Sequence, residues 1–475
     1  MTRHLKKIIK KIFRPLADFC RKITFKLMRD VIKKLEDSIQ KNSAVGTQRI
    51  IPFESGELIR IMFLFQVASF WPNWESFYQA CLDDPRFSVK FTFLDELYGD
   101  TTQMLSAKKF LEEQGMEYEI YSDKLFSRFN PHILVMQTPY DFGHRKLHVR
   151  SASFKKKGTR IVYIPYGIEL ADTEHARDAH FYNAVVRNAW RVFTFSERMR
   201  EDYRQMCPNY PAVKCVGHPK FDSLYHRELY PQLETITKAA KGRPVLVWHV
   251  HFPKLVPQPD GTERMSTPDL KIYIEFAKYI TRQTDLFVVL QPHPKFLDGE
   301  GDLGIRAKKI VAIIEDAENG YVDWSDDYRN TLVNCDYFIS DRSALMVEAV
   351  CTGVPILYMH NKEYDEPLTP AIQPIIGTYY QGTGFEEMKE FVVQCQQGED
   401  PLREKRIQAF RENIPYFDGK CGERIKDHIA DALEKENENP LMERLDQLQY
   451  EIDNLGKKVE MLIETYKGED NRTVQ

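Results

Sequence analysis

Short β-rich runs separated by helical stretches recur along the chain and, after one break, recur again. The first series is RIMFLFQV, FSVKFTFL, YEIYS, HILVMQ, RIVYIPY, RVFTFS and VKCVG; the second is RPVLVWHV, LFVVLQPHP, DYFISD and VPILYM. Strands alternating with helices are the signature of βαβ units, because parallel neighbours in a sheet need a crossover connection, usually helical. Between the two series, PQLETITKAAKGRP has no β pattern and reads as a helix and connector. The expected fold class is therefore α/β, with two facing Rossmann-like domains at residues 55–235 and 240–435. Ligands of such sheets collect beyond the carboxyl ends of the strands, so the cleft between the domains is the default site.

Both ends of the chain depart from that pattern. Residues 1–45 form a basic segment, and its first forty positions carry twelve Lys/Arg against four Asp/Glu, in a chain whose net charge is −4. Leu5, Ile8, Ile9, Ile12, Leu16, Phe19, Ile23 and Leu27 recur there at helical spacing, with Pro15 dividing or kinking the helix. A basic amphipathic helix of this kind suits an anionic membrane surface, and packing on the protein's own body is the alternative. Residues 438–467 read as a coiled-coil helix, since Leu441, Leu445, Leu448, Ile452, Leu455, Val459, Leu462 and Tyr466 alternate spacings of four and three. A homo-oligomer through this tail is expected.

Composition excludes several classes. With 43% hydrophobic and 29% charged residues the chain is neither disordered nor multi-spanning, and it contains no uncharged apolar run long enough to span a bilayer. Eight scattered cysteines without a Cys-x-x-Cys pair point to reduced thiols, not to zinc or disulfides. The expected location is the cytoplasm, peripheral on the inner face of the plasma membrane. No nucleic-acid partner and no metal are expected, the latter because no Asp-x-Asp stands at a strand end.

The densest chemistry lies in the second series. LFVVLQPHPKF places His293 at a strand's carboxyl end between two prolines, with Lys295 following, where an imidazole can donate to a phosphate oxygen. DYFISDRSALMVEAVCTGVPILY reads as a strand, a polar turn, a helix and a second strand, with Asp341 and Ser343 where the helix begins. Unpaired N–H groups and a hydroxyl meeting at one spot make a phosphate site, although the same residues can merely cap the helix. Glu348 suits a ribose. HVHF on the first strand is read as turning one histidine, His249, toward the cleft. In the first series, QVASFWPNWESFY offers Trp74, Asn73 and Glu75 for a sugar or polyol acceptor, or a lid packed on its own domain.

These segments resemble the CDP-glycerol glycerophosphotransferase family of teichoic-acid and capsule synthesis, which is GT-B-like in fold. The family's His-Pro pair is matched by His293 and Pro294. Its Thr-Asp-Tyr-Ser-Ser turn, Phe-Asp and Gly-Lys-Pro fall on Ser340 to Ala344, on Val347 and Glu348, and on Gly353 to Pro355. GHPKFD, residues 217–222, resembles its Gly-x-Pro-x-x-Asp and includes Pro219. The resemblance implies a transferase that moves a polyol phosphate from a CDP-activated donor to a hydroxyl of a polysaccharide or lipid-linked acceptor, without a further cofactor. With the readings above, donor contacts are expected at Asp341, Arg342, Ser343, Glu348, Lys295, His249 and Pro219, and acceptor contacts at Trp74, Asn73, Glu75 and Glu169.

The family's base-bearing His-Gly falls on Tyr166 and Gly167 here, and a tyrosine titrating near 10 is a poor base at neutral pH. Asp141, His144, Glu169 and Asp172 stand in strand-end loops as the other candidates. Two further readings stay open at this point: a sugar-nucleotide glycosyltransferase or epimerase of the same fold, and a catalytically weak scaffold.

Overall fold

A computed structural model describes residues 50–95, 101–142, 145–207, 209–253, 255–257, 262–364 and 366–438. The basic segment 1–45, the coiled-coil seam beginning at Leu441, and His144 lie outside them. The described residues within 51–155 and 159–475 form one compact unit. Of the other unit, residues 1–50 and 156–158, only residue 50 and the short stretch 156–158 are described.

Among the described residues the first series forms β1 (Ile59–Phe65), β2 (Phe87–Phe93), β3 (Glu119–Ile120), β4 (Ile133–Met136), β5 (Arg160–Tyr163), β6 (Arg191–Thr194) and β7 (Val213–Cys215). They lie in one parallel sheet of order β3-β2-β1-β4-β5-β6-β7. The second series gives β8 (Val245–Val250), β11 (Phe287–Pro292), β13 (Tyr337–Ser340) and β14 (Ile356–Met359), joined at the edges by β12 (Gly320–Val322) and β15 (Tyr380–Gly382). That sheet, also parallel, runs β12-β11-β8-β13-β14-β15. A small antiparallel ribbon pairs β9 (Leu255–Pro257) with β10 (Glu263–Met265). The strand pattern of two Rossmann-like domains is thus present. Strands β12 and β15 and the ribbon are not legible in the sequence, because so short a run carries no periodicity.

Central strands such as ILVM in β4 and VLVWHV in β8 are buried on both faces, as a parallel sheet covered by helices requires. One apolar cluster runs from Leu64, Leu134 and Met136 of the first sheet to Val247, Val289 and Phe338 of the second, so the two inner faces share a core. Loops tie the halves as well: Asp172 N–H donates to Pro367 O (2.6 Å), Thr369 N–H donates to Leu170 O (2.8 Å), and Ala171 bridges Leu368.

The last described helix, Cys421–Glu438, packs on the first sheet rather than the second. Ile425, Ile429 and Leu433, spaced by fours, are buried in the cluster that holds Phe63, Trp74 and Phe77. Asp222 caps its start, accepting from Cys421 N (2.8 Å) and Gly422 N (2.8 Å). The close approach demands glycine at position 217, where φ is 94° and a Cβ would collide with Cys421. By packing, then, residues 421–435 belong with the first half, although the sequence places them in the second domain, 240–435. An amphipathic stripe shows that a helix has a buried face, not which sheet covers it. Among the described residues no helix is long and apolar enough to cross a membrane.

Candidate functional site

The second sheet's register sets His249 level with Gln291 and Ser340, so β8, β11 and β13 end together. Three histidines collect at that edge. His293 is pinned by its backbone N–H to Val250 O (2.8 Å), and its Nδ1 accepts from Lys295 N–H (3.0 Å). Its ring centroid lies 4.7 Å from those of His251 and Phe252. Burial, followed by the charge of Lys295, lowers its pKa to about 4, so the ring is neutral near pH 7. With Nδ1 occupied as acceptor, the proton of a neutral ring resides on Nε2, and His293 presents an N–H donor. Lys295 is exposed; its backbone fixes that tautomer while its ammonium adds charge nearby.

His249 is buried, and its ring nitrogens meet no side-chain partner, only the Gln291 backbone close by. Burial first and His293 second lower its pKa to about 3, which the neighbouring Gln291 backbone only partly offsets. His251 is held well below its usual value by burial, then by His293, His249 and Arg342. The reading that only one of His249 and His251 faces the cleft is corrected here. Residues two apart share a strand face, and both lie beside His293.

Asp341 points inward. It accepts from His251 N–H (2.8 Å) and Tyr273 OH (2.8 Å), and burial raises its pKa to about 7, so it supports the histidine turn from below. Ser343 Oγ accepts from Leu345 N–H (3.2 Å) at the start of the short helix Leu345–Ala349. Arg342, partly exposed, pairs with Glu366 (2.6 Å). Arg342 and Glu366 line a small open cavity together with Ser266 and His360 and with Ala171 of the first half. Glu348 lies apart from this edge, with one oxygen 2.7 Å from Lys220 Nζ and the other bonded to Tyr328 OH. Pro219 is the buried first residue of the helix Pro219–Tyr225, whose cap, His218, accepts from Lys220 N–H (3.2 Å) and contacts Pro165 O (2.7 Å).

The first sheet's edge keeps its polar groups largely for itself. Asp141 is buried against Arg145 (2.9 Å) and the Ser151 N–H (3.0 Å) and hydroxyl, and Arg145 reaches on to Gln66 and Thr138. Tyr166 stacks on Phe70 at 4.1 Å and bonds Tyr140 OH; burial, then Tyr140, hold its pKa well above the usual value. Trp74 is a core residue against Phe63 (5.3 Å), and Glu75 binds Tyr230 OH (2.9 Å) and Arg329. Asn73 is fully buried with its amide unpaired. Asp172 pairs with Arg177. Glu169 contacts His180 Nε2 (2.7 Å) and accepts from Ala171 N–H (2.7 Å). Burial alone would raise its pKa, but His180, the Ala171 bond and Arg342 together bring it below the ordinary range.

The structure therefore gathers His293, His249, Arg342 and Ser343 on one edge. It leaves Glu348, Asp141 and Trp74 in separate buried arrangements. His251 and His180 were missed from sequence. The first was recoverable from strand parity, whereas nothing local ties His180 to Glu169.

Solved structures share this architecture. The S. aureus MnaA–UDP complex aligns with TM-score 0.58 at 13% identity, over 79% of this chain and 97% of that one. The fold is GT-B-like. A UDP-GlcNAc 2-epimerase from Neisseria meningitidis bound to UDP-GlcNAc gives 0.54 at 12% identity over 78% and 100% of the two chains. A variant of the wall teichoic acid polymerase TagF soaked with CDPG gives 0.50 at 15% over 80% and 90%. At identities this low, the superpositions establish a common GT-B-like fold alone. No protein-family model and no curated protein matches the chain.

Proposed function

We propose that this chain is a transferase that moves a polyol phosphate, glycerol or ribitol phosphate, from a CDP-activated donor to an acceptor hydroxyl. The observation that carries the reading is His293: a neutral imidazole with its tautomer fixed by Lys295 N–H, flanked by His249 and His251 at the carboxyl end of β11. In the proposed step the acceptor oxygen attacks the donor phosphorus bearing the polyol. The bond from that phosphorus to the bridging oxygen breaks, and cytidine monophosphate leaves with the electron pair. His293 N–H stabilises charge on a phosphate oxygen, and the Arg342 guanidinium adds positive potential on the same edge. Lys220 and Tyr328 hold Glu348, so that carboxylate braces the halves rather than binding ribose. The basic amphipathic pattern of residues 1–40 supports attachment to an anionic membrane beside a lipid-linked acceptor.

Incubation with CDP-glycerol, CDP-ribitol and UDP-sugars, followed by chromatography of released nucleotide, tests the reading. Cytidine monophosphate release is expected, falling about 10²–10³-fold in His293→Ala. Release unchanged in that variant would sink the phosphate-site argument, and turnover of a UDP-sugar alone would transfer the site to sugar chemistry.

A further inference from the structure

At the carboxyl edge of the first sheet, one described side chain combines a fixed orientation with an available lone pair beside a cavity. His180, the last residue of the helix Glu174–His180, has Nε2 2.7 Å from Glu169 Oε2, and its Nδ1 has no hydrogen-bond partner among the described residues. Both residues line a small cavity together with Gly167, Pro165 and His218, walled otherwise by apolar side chains such as Phe193 and Met199. The His180 ring lies 6.3 Å from that of Tyr166. Arg342 of the donor edge is near enough for its charge to act on Glu169, and Leu170 and Ala171, which follow Glu169, line the second cavity with Arg342. The dyad thus stands on the side of the first half that faces the candidate phosphate grip.

The other described candidates on this edge are occupied. Tyr166 is bonded to Tyr140, Asp141 is taken up by Arg145 and Ser151, and Asp172 is paired with Arg177. A carboxylate holding one imidazole nitrogen fixes the tautomer and stabilises the imidazolium that forms when the other nitrogen takes a proton. The 2.7 Å contact makes Nε2 the donor to Glu169 and leaves Nδ1 as the basic nitrogen.

We infer that His180 is the general base that takes the acceptor hydroxyl proton on Nδ1, with Glu169 as its positioning residue. The inference rests on the transferase reading above. The proton passes from the attacking hydroxyl to Nδ1 as the new phosphorus–oxygen bond forms, and the leaving nucleotide keeps the electron pair of the broken bond. Glu169 balances the positive ring until the proton returns to water.

The test measures three quantities on the full chain: nucleotide release from CDP-glycerol or CDP-ribitol, affinity for CDP, and rescue by added imidazole. His180→Ala is expected to lower kcat about 10²–10⁴-fold while CDP affinity stays near that of the wild type. Imidazole should restore part of the rate, and Glu169→Gln should show a smaller fall in kcat that imidazole does not restore. Wild-type turnover in His180→Ala overturns the inference and leaves the transferase reading standing. So does a loss that imidazole cannot restore or that comes with equal loss of CDP affinity, because either marks a structural role. A wild-type protein that releases nucleotide from neither CDP donor overturns the transferase reading, and the base assignment with it.

Discussion

The two sheets end in similar loops but treat their polar residues differently. At the edge of the second sheet, His293 keeps a free N–H and His249 is buried without a side-chain partner, so hydrogen-bonding capacity is left for a ligand. At the edge of the first, Asp141, Arg145 and Ser151 satisfy one another, as do Tyr140 and Tyr166, and Glu75 is consumed by Arg329 and Tyr230. Buried polar groups that satisfy each other stiffen a scaffold, whereas unsatisfied ones are tolerated where a ligand completes them. The first edge is therefore mainly framework, with Glu169, His180 and the unpaired amide of Asn73 as its exceptions, and the second is the gripping surface.

The largest effect that sharpens this contrast is on stability. Asp141→Ala leaves Arg145 buried without its carboxylate, and loss of one partner of a buried pair costs about 3–5 kcal/mol. Chemical denaturation should show that loss. A change within about 0.5 kcal/mol, the scale of an exposed pair, would mean that the first edge is not framework.

A smaller effect bears on the second edge through pH. His249 and His293 titrate at about 3 and about 4 in the folded chain. An unfolded histidine titrates near 6.5, so below about pH 6.5 the unfolded state binds more protons and stability falls with acidification. Asp341 acts in the opposite sense. Its folded pKa of about 7 exceeds the unfolded value near 3.9, so its contribution is present at low pH and is lost as pH rises through about 4 to 7. His249→Asn should make the acid-side loss shallower in denaturation midpoints taken between about pH 6.5 and 4. An unchanged slope would show that His249 is not held neutral by its surroundings.

Much of the frame was legible because it depends on local patterns: each β-rich run became a strand, and PHP placed His293 where a strand ends. What escaped depends on residues distant in sequence. Glu348 follows its turn as a ribose ligand would, yet Lys220, from GHPKFD, reaches across to claim it. Trp74 and Glu75 sit in a loop rich in aromatics, but one fills the core and the other spans to Arg329. His251 was set aside by a parity error, not by lack of signal. Burial and long-range pairing decide which polar residues remain available, and neither can be read from spacing.

The contrast is tested most directly by titrating CDP into the wild-type chain, His293→Ala and Tyr166→Phe by calorimetry. The account predicts that the wild type and Tyr166→Phe bind alike while His293→Ala weakens binding about 10-fold or more, the loss of a hydrogen bond to a charged group. Equal binding by His293→Ala, or a loss confined to Tyr166→Phe, would contradict it.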